Sequence, residues 1–293
     1  MIPLPQGRHT AVLKELIVDE NAFNKLPDRV KAQVRRSLRM KSTRSEMDTL
    51  PIGASRIGGV PDVPPDFSWP RYKGSPLSYI AQLQLEEVPF GMIDLPLPPR
   101  GSLLFFYDSE QRTWGFDPQD RGSALVFFTE LPPDKLIRTK APTDTPEMGL
   151  FDCCRIEFEP SMNLPDAWSI HYQPELSDSE RDKLFEYFAA YHSKSIGPNH
   201  RIGGHADCVQ TPMELECQLV THGLYCGNST GYEEPRRASL EETAKDWKLL
   251  LQIDSDDAAS MMWGDVGTIY FWILEGDLRD SKFEHAWLIL QCG

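Results

Sequence analysis

Four aspartates cluster near the end of the sequence: Asp254, Asp256, Asp257 and Asp265. Carboxylates at alternating positions after a strand are donors for a hard divalent cation, and Asp254, Asp256 and Asp265 would equip a metal-dependent hydrolase. Tested against the EF-hand loop from Asp254, positions 1, 3 and 12 carry aspartate, but positions 5 and 6 are Ala258 and Ala259, where an oxygen donor and a glycine are needed. The competing reading is a strand-to-loop turn in which Asp and Ser side chains bond nearby backbone N–H groups, and it weighs more. A second set, His205, Cys208, Cys217, His222 and Cys226, has one pair at zinc-like spacing, His205 and Cys208. Its cysteines lie nine residues apart, with Cys217 inside an expected helix, so inert buried thiols are expected. No Gly-x-Ser-x-Gly elbow, Walker loop or dinucleotide-binding glycine fingerprint occurs. Catalytic residues are therefore not assigned, no cofactor is expected, and the chain reads as non-catalytic.

The elements that would position such residues follow from composition and pattern. The chain has 293 residues, 40% hydrophobic and 25% charged, enough for a sizeable core in about two domains or one domain of two similar halves. A formal charge of −14 argues against nucleic acid or anionic lipid as a general partner and suits a basic protein through electrostatic steering. No apolar run approaches the ~18 residues of a membrane span. The first residues lack a secretory pattern and six cysteines are too few for a disulfide scaffold, so a cytoplasmic protein with reduced thiols is expected.

The first fifty residues read as helical. Val12, Leu13 and Leu16 form one stripe, and Val30, Val34 and Leu38 another over Pro27 to Arg39. Eight basic residues and one acid lie between Lys25 and Arg44, giving +7 and leaving −21 on the remainder. We read them as a solvated helix face that docks on an acidic body. After Leu50, strands are expected at Tyr79–Leu85, Leu103–Tyr107, Ala124–Thr129, Cys154–Glu159, Lys248–Ile253, Thr268–Leu274 and Ala286–Gln291. Helices are expected from Ser177, Thr211 and Ser239, each opening a capping box.

Three blocks recur in the same order. Arg56-Ile57-Gly58-Gly59 returns as Arg201-Ile202-Gly203-Gly204, Ile80–Gln84 as Leu250–Asp254, and Gly101–Phe106 as Gly267–Trp272. The expected fold is therefore α+β, with two related, mainly antiparallel β halves from an internal duplication, peripheral helices and a helical N-terminal segment. Boundaries are placed at 1–48, 49–165 and 166–293. If the halves meet about a pseudo-two-fold, Gln82 and Gln252 lie together at the seam. Arg56, Trp69, Gln82, His205, Gln210, Gln252 and Trp263 then become candidates for a ligand or partner site there. The competing reading makes both glutamines internal struts bonding turn backbone.

These blocks also carry a family resemblance. Ser55–Asp62, Trp69-Pro70, Pro76-Leu77 and Ile80–Leu83, followed by Gln252–Asp256, Trp263–Phe271, Asp277-Leu278 and Phe283, resemble the signatures of the YwqG-like proteins, a bacterial domain of unknown function. The resemblance runs from about Leu50 to Gly293. It implies a mixed fold rich in antiparallel strands, supplies no catalytic residue, and points toward protein binding through relatives beside toxin and immunity genes.

Overall fold

A computed structural model describes residues 20–172, 174–194 and 197–293. The helix expected at His9–Leu16 lies outside the described residues. Thirteen strands follow in chain order: β1 Arg35–Arg44, β2 Arg56–Ile57, β3 Asp62–Val63, β4 Arg71–Tyr72, β5 Ser75–Gln84, β6 Ser102–Asp108, β7 Ala124–Thr129, β8 Ile137–Arg138, β9 Cys154–Asn163, β10 Arg201–Gly203, β11 Trp247–Asp254, β12 Thr268–Leu274 and β13 Trp287–Gln291. Seven helices are described: α1 Glu20–Asn24, α2 Asp28–Lys31, α3 Asp178–Lys194, α4 Glu214–Thr221, α5 Thr230–Glu233, α6 Arg237–Ala244 and α7 Glu275–Arg279.

The strands form one large antiparallel sheet ordered β13-β12-β11-β10-β1-β9-β2-β5-β6-β7, with β4 beside β5 and β3 paired separately with β8. The sheet curls nearly into a barrel. Phe105 of β6 meets Phe271 of β12 across the interior at 5.1 Å, and Phe128 of β7 meets Phe283, just before β13, at 5.2 Å. Inward-facing Leu103, Phe105, Tyr107, Leu251, Ile253, Ile269, Phe271 and Ile273 are fully buried there. Burial of such side chains stabilises by roughly 1.5–3 kcal/mol each before chain entropy is counted.

The outer faces of β5–β6 and β11–β13 are covered as well. Tyr79, Leu104 and Phe106 lie beneath Phe67 and Trp69. Trp247, Tyr270, Trp272 and Trp287 lie beneath α4, whose Cys217, Leu219 and Val220 are buried. Strands covered on both sides read as near-continuous apolar runs, which is why β6 and β12 lack alternation. In β5 the alternation of faces breaks at one residue. A bulge between Tyr79 and Ala81 turns Ile80 into the interior with Ala81 and Leu83, and a bulge between Leu249 and Leu251 does the same to Leu250.

The helical reading of Pro27–Arg39 is corrected. α2 stops at Lys31, and β1 begins at Arg35 in the middle of the sheet, paired with β9 and β10. Leu38 and Met40 face the interior while Arg39 and Lys41 face out, a period of two within a sequence that also fits a helical stripe. Two flanking strands satisfy the backbone of β1, and this tertiary pairing overrides local periodicity. Part of the basic run does dock on acids: Arg29 on Glu180, Arg36 on Asp94 and Arg44 on Asp152.

The helix beginning after Ser177 is present as α3, with Glu180 accepting hydrogen bonds from both the Ser177 N–H and hydroxyl. The box at Thr211 is not used, since Met213 precedes α4 without a side-chain cap. The box at Ser239 is also corrected. α6 starts two residues earlier, at Arg237, and the Ser239 hydroxyl donates back to the Arg236 carbonyl at 2.8 Å.

Gly58 and Gly203 end β2 and β10 with the same φ, +65°. A methyl group on Gly58 would sit 2.1 Å from the Asp152 carbonyl oxygen, whereas on Gly203 it would meet Leu95 side-chain atoms at 3.0 Å. Both alanine variants carry the left-handed penalty of roughly 1–2 kcal/mol. Gly58→Ala is expected to cost clearly more than Gly203→Ala in urea denaturation, because backbone cannot move aside as Leu95 can; equal losses would contradict this.

Candidate functional site

Arg56 anchors the first polar cluster. Its backbone pairs with Gln82 across β2 and β5, and its guanidinium is wholly buried. Nη1 donates to Asp62 Oδ2 and to the Ala54 carbonyl, both at 2.9 Å, and Nε donates to the Val60 carbonyl at 3.0 Å. Gln82 Oε1 accepts the Asp62 N–H at 2.9 Å, and Arg138 of β8 donates to Asp62 Oδ1 at 2.9 Å. Burial works to raise the Asp62 pKa, but Arg138, Arg56 and the Gly53 N–H outweigh it and hold the carboxyl below its ordinary value. The loop after Gly58-Gly59 is thus tied down by one carboxylate between two guanidiniums.

A second cluster has the same frame. Arg201 pairs with Gln252 across β10 and β11, and Gln252 Oε1 accepts the Asp207 N–H at 3.0 Å while Nε2 donates to the Asn199 carbonyl at 2.8 Å. Here the buried arginine has no carboxylate. Arg201 donates to Ser37 Oγ at 3.1 Å, Tyr191 Oη at 2.6 Å and Asn199 Oδ1 at 3.1 Å, and its Nε has no partner. Asp207 turns away to Asn199 Nδ2 and lies 3.6 Å from His192.

The expected convergence of Gln82 and Gln252 is not found. Four strands separate β5 from β11, and the two amides share no hydrogen-bond partner. Each props its own loop, which is the strut arrangement that buried polar groups demand. The other seam candidates are likewise committed. Trp69 Nε1 donates to the Leu77 carbonyl at 2.8 Å, and Gln210 bonds Gln291 and the Cys292 carbonyl. Trp263 is buried against Phe151, its indole N–H 3.3 Å from the Asp254 carbonyl. His205 is buried with Nε2 2.8 Å from the Gln33 carbonyl, and burial, helped by Arg35, drives its pKa well below the ordinary value, so the ring is neutral.

The acidic cluster is built of internal turns. Asp254 accepts from the Asn199 N–H, the Ser255 N–H and the Thr268 hydroxyl, each at 2.9 Å. Asp256 accepts from Ser42 Oγ at 2.6 Å, the Ala258 N–H at 2.8 Å and His200 Nε2 at 3.1 Å. The Asp254 N–H donates to His200 Nδ1 at 3.1 Å, which leaves the ring proton on Nε2, facing Asp256. Serine, aspartate and histidine meet here with the aspartate in the middle, so the imidazole is not placed to take the serine proton. Asp265 stands apart and exposed. Burial raises the thiol pKa values of Cys208, Cys217 and Cys226, the last to about 12, which keeps all three protonated. Among the described residues no group of three or more His, Cys, Asp or Glu side chains is arranged to hold a metal ion.

A feature that sequence reading missed lies at the end of the sheet where β1 finishes and β9 begins. Gln111, Met148, Phe151, Ser260, Met262 and Gly264 line a hollow of about 480 Å³. Met148 and Met262 are 59% and 48% exposed, and Leu150 and Val266 in the same loops are 52% and 66% exposed. Ser260 and Val266 have φ of +56° and +50°, so the loop between β11 and β12 holds two residues in the left-handed region. Gln111, from the loop after β6, is fastened to that loop, donating from Nε2 to the Met262 carbonyl at 3.0 Å. Glu147, Asp257 and Asp265 are exposed in the same loops. These residues come from three separate irregular stretches with no periodicity. The only sequence signal was apolar Met148 and Met262 set among acids.

Residues 55–292 match the model of DUF1963, a domain of unknown function, and the chain belongs to that family. No curated protein matches the sequence. No described helix is long and apolar enough to cross a membrane.

The Asp256 cluster makes a pH prediction. Burial opposes its charge, but His200, Ser42 and the Ala258 N–H outweigh burial and bring the pKa to about 2. A depressed carboxyl contributes stability above its unfolded pKa of ~4 and loses it as pH falls through the folded value. About 2 kcal/mol is therefore expected to disappear between roughly pH 5 and pH 2. Urea melts across that range should show a shallower acid limb for Asp256→Asn; an unchanged slope would remove Asp256 from the account.

Proposed function

We propose that this DUF1963 chain is a non-catalytic protein-binding module whose apolar end takes a basic segment of a partner carrying an apolar anchor. One observation carries the reading: Met148, Phe151 and Met262 line an open hollow of about 480 Å³, whereas the polar clusters at Arg56, Arg201 and Asp256 are bonded internally. Exposed apolar clusters rimmed by polar residues mark interaction sites, and methionine adapts to irregular partners. The rim supplies the sign of the partner. Glu147, Asp257 and Asp265 are exposed beside the hollow, and the chain carries −14 overall. A basic segment gains electrostatic steering from both.

The duplicated architecture supports an end-of-sheet site. Arg56–Gln82 and Arg201–Gln252 occupy matching registers, and Arg155 lies beside Arg56 as Arg39 lies beside Arg201. The strand order is then the same from either edge, with β1 matching β9. Each half begins with a strand that sits against the second strand of the other half, β1 beside β10 and β9 beside β2. On this reading the first half starts at β1 rather than at residue 49, and Phe151 at one end of the sheet corresponds to Arg35 at the other. The finer likeness to the YwqG-like proteins rests on the same repeated motifs.

The test is site-specific photo-crosslinking in the native host. A crosslinking residue at Met148 or Met262 is expected to capture the same protein, through a basic peptide, while Leu131 and Ile137, exposed apolar controls at 38% and 47%, do not. Met148→Asp with Met262→Asp should weaken that complex at least tenfold and leave the unfolding midpoint unchanged. Equal capture at all four positions, or an acidic captured peptide, would overturn the reading.

A further inference from the structure

The opposite end of the sheet, where β1 begins, β10 ends and β11 begins, holds a second hollow of about 220 Å³, lined by Arg35, Asp94, Leu95, Gly204, Lys248 and Glu275. Arg35 is the unusual member. It is half-buried, yet among the described residues its guanidinium has no hydrogen bond and no carboxylate within ion-pair distance. Its neighbours are occupied elsewhere. Asp94 accepts from the Arg36 N–H at 2.7 Å, Nε at 2.8 Å and Nη2 at 2.6 Å. Glu275 pairs with Lys248 at 3.3 Å and with Arg279. Glu214, whose charge also reaches Arg35, faces His171 at 3.4 Å.

Two cations therefore share one recess. Burial lowers the pKa of Lys248 and the charge of Arg35 lowers it further, so the pair repels. Burial likewise lowers that of Arg35. Buried charges persist when something neutralises them. Asp94 and Glu275, the two carboxylates of the recess, are taken by Arg36 and by Lys248 and Arg279, so the Arg35 fork is left open to one anion. A guanidinium is a planar fork of donors that fits a carboxylate with two parallel bonds. Leu95 adds an apolar wall beside it, and the volume exceeds what a bare carboxylate fills.

We infer that this recess binds a small organic monocarboxylate, its head on Arg35 and Lys248 and its short chain against Leu95. The site is separate from the apolar end and stands or falls independently of the protein-binding reading. Calorimetric titration of the purified full chain with butyrate, acetate, inorganic phosphate and chloride tests it. Butyrate is expected to bind saturably with one site and a dissociation constant of about 1 mM, tighter than acetate. Arg35→Gln should weaken butyrate at least tenfold, and Arg35→Lys should restore only part of the loss because the fork is gone. Lys248→Gln gives the same readout should Arg35→Gln fold poorly. Saturable binding of phosphate without butyrate would overturn the carboxylate assignment. Equal responses to chloride and butyrate, or butyrate binding unchanged in Arg35→Gln or in a folded Lys248→Gln, would overturn the site itself.

Discussion

Ten consecutive residue pairs join β1 to β9, from Arg35 opposite Asn163 to Arg44 opposite Cys154, and the rest of the molecule hangs on that ladder. On one side β1 carries β10 and then β11 to β13; on the other, β9 carries β2 and then β5 to β7. Its inward residues, Leu38, Met40 and Cys154 with Ile156 and Phe158, floor the interior that the outer strands close over. A break in this pairing would leave two curled half-sheets, each with an unpaired edge and an uncovered apolar face. The outward residues of the ladder are charged, Arg39 and Lys41 on one strand and Glu157 and Glu159 on the other, in keeping with a face that water covers.

The second constraint is the fate of polar groups near the Gly-Gly turns. Each turn leads into a loop whose backbone must be satisfied beside an apolar strand, and a glutamine from that strand does so. The arginine beside it is treated differently in the two places. Arg56 sits against Asp62, which also holds Arg138, and the three make a closed network. Arg201 has only neutral acceptors, with Asp207 drawn off toward Asn199 and His192. A buried ion pair adds little net stability but strongly disfavours removal of one partner, so losing Asp62 would strand two guanidiniums at the first loop, a penalty with no counterpart at the second.

Much of this was legible in the sequence. Seven of the long strands announced themselves through apolar runs and alternation. The recurrence of Arg-Ile-Gly-Gly and of a glutamine within an apolar strand pointed to the paired clusters. β1 was not legible, because Val30, Val34 and Leu38 fit a helix as well as Leu38 and Met40 fit a strand, and the deciding partners lie more than a hundred residues away. The bulges at Ile80 and Leu250 were hidden for a related reason: an extra residue in a strand changes facing without changing composition. The separation of Gln82 from Gln252 was not legible, since register and strand order fix which strands are neighbours, and neither is written in any one segment. Neither end of the sheet showed a pattern. Met148, Phe151 and Met262 are scattered through loops, and Arg35 was one more cation in a basic run.

The position of β1 also governs the order in which the chain can be completed. Its backbone partners are β9 and β10, so β1 leaves the ribosome well over a hundred residues before either exists. β2, too, waits for β9 on one flank. Synthesis to the end of β7 therefore yields a strand set with a gap at its centre, and closure of such distant pairings is slow because the intervening loop entropy is lost first. Neither half can be finished on its own: β1 stays without its strand partners until β9 and then β10 have been made.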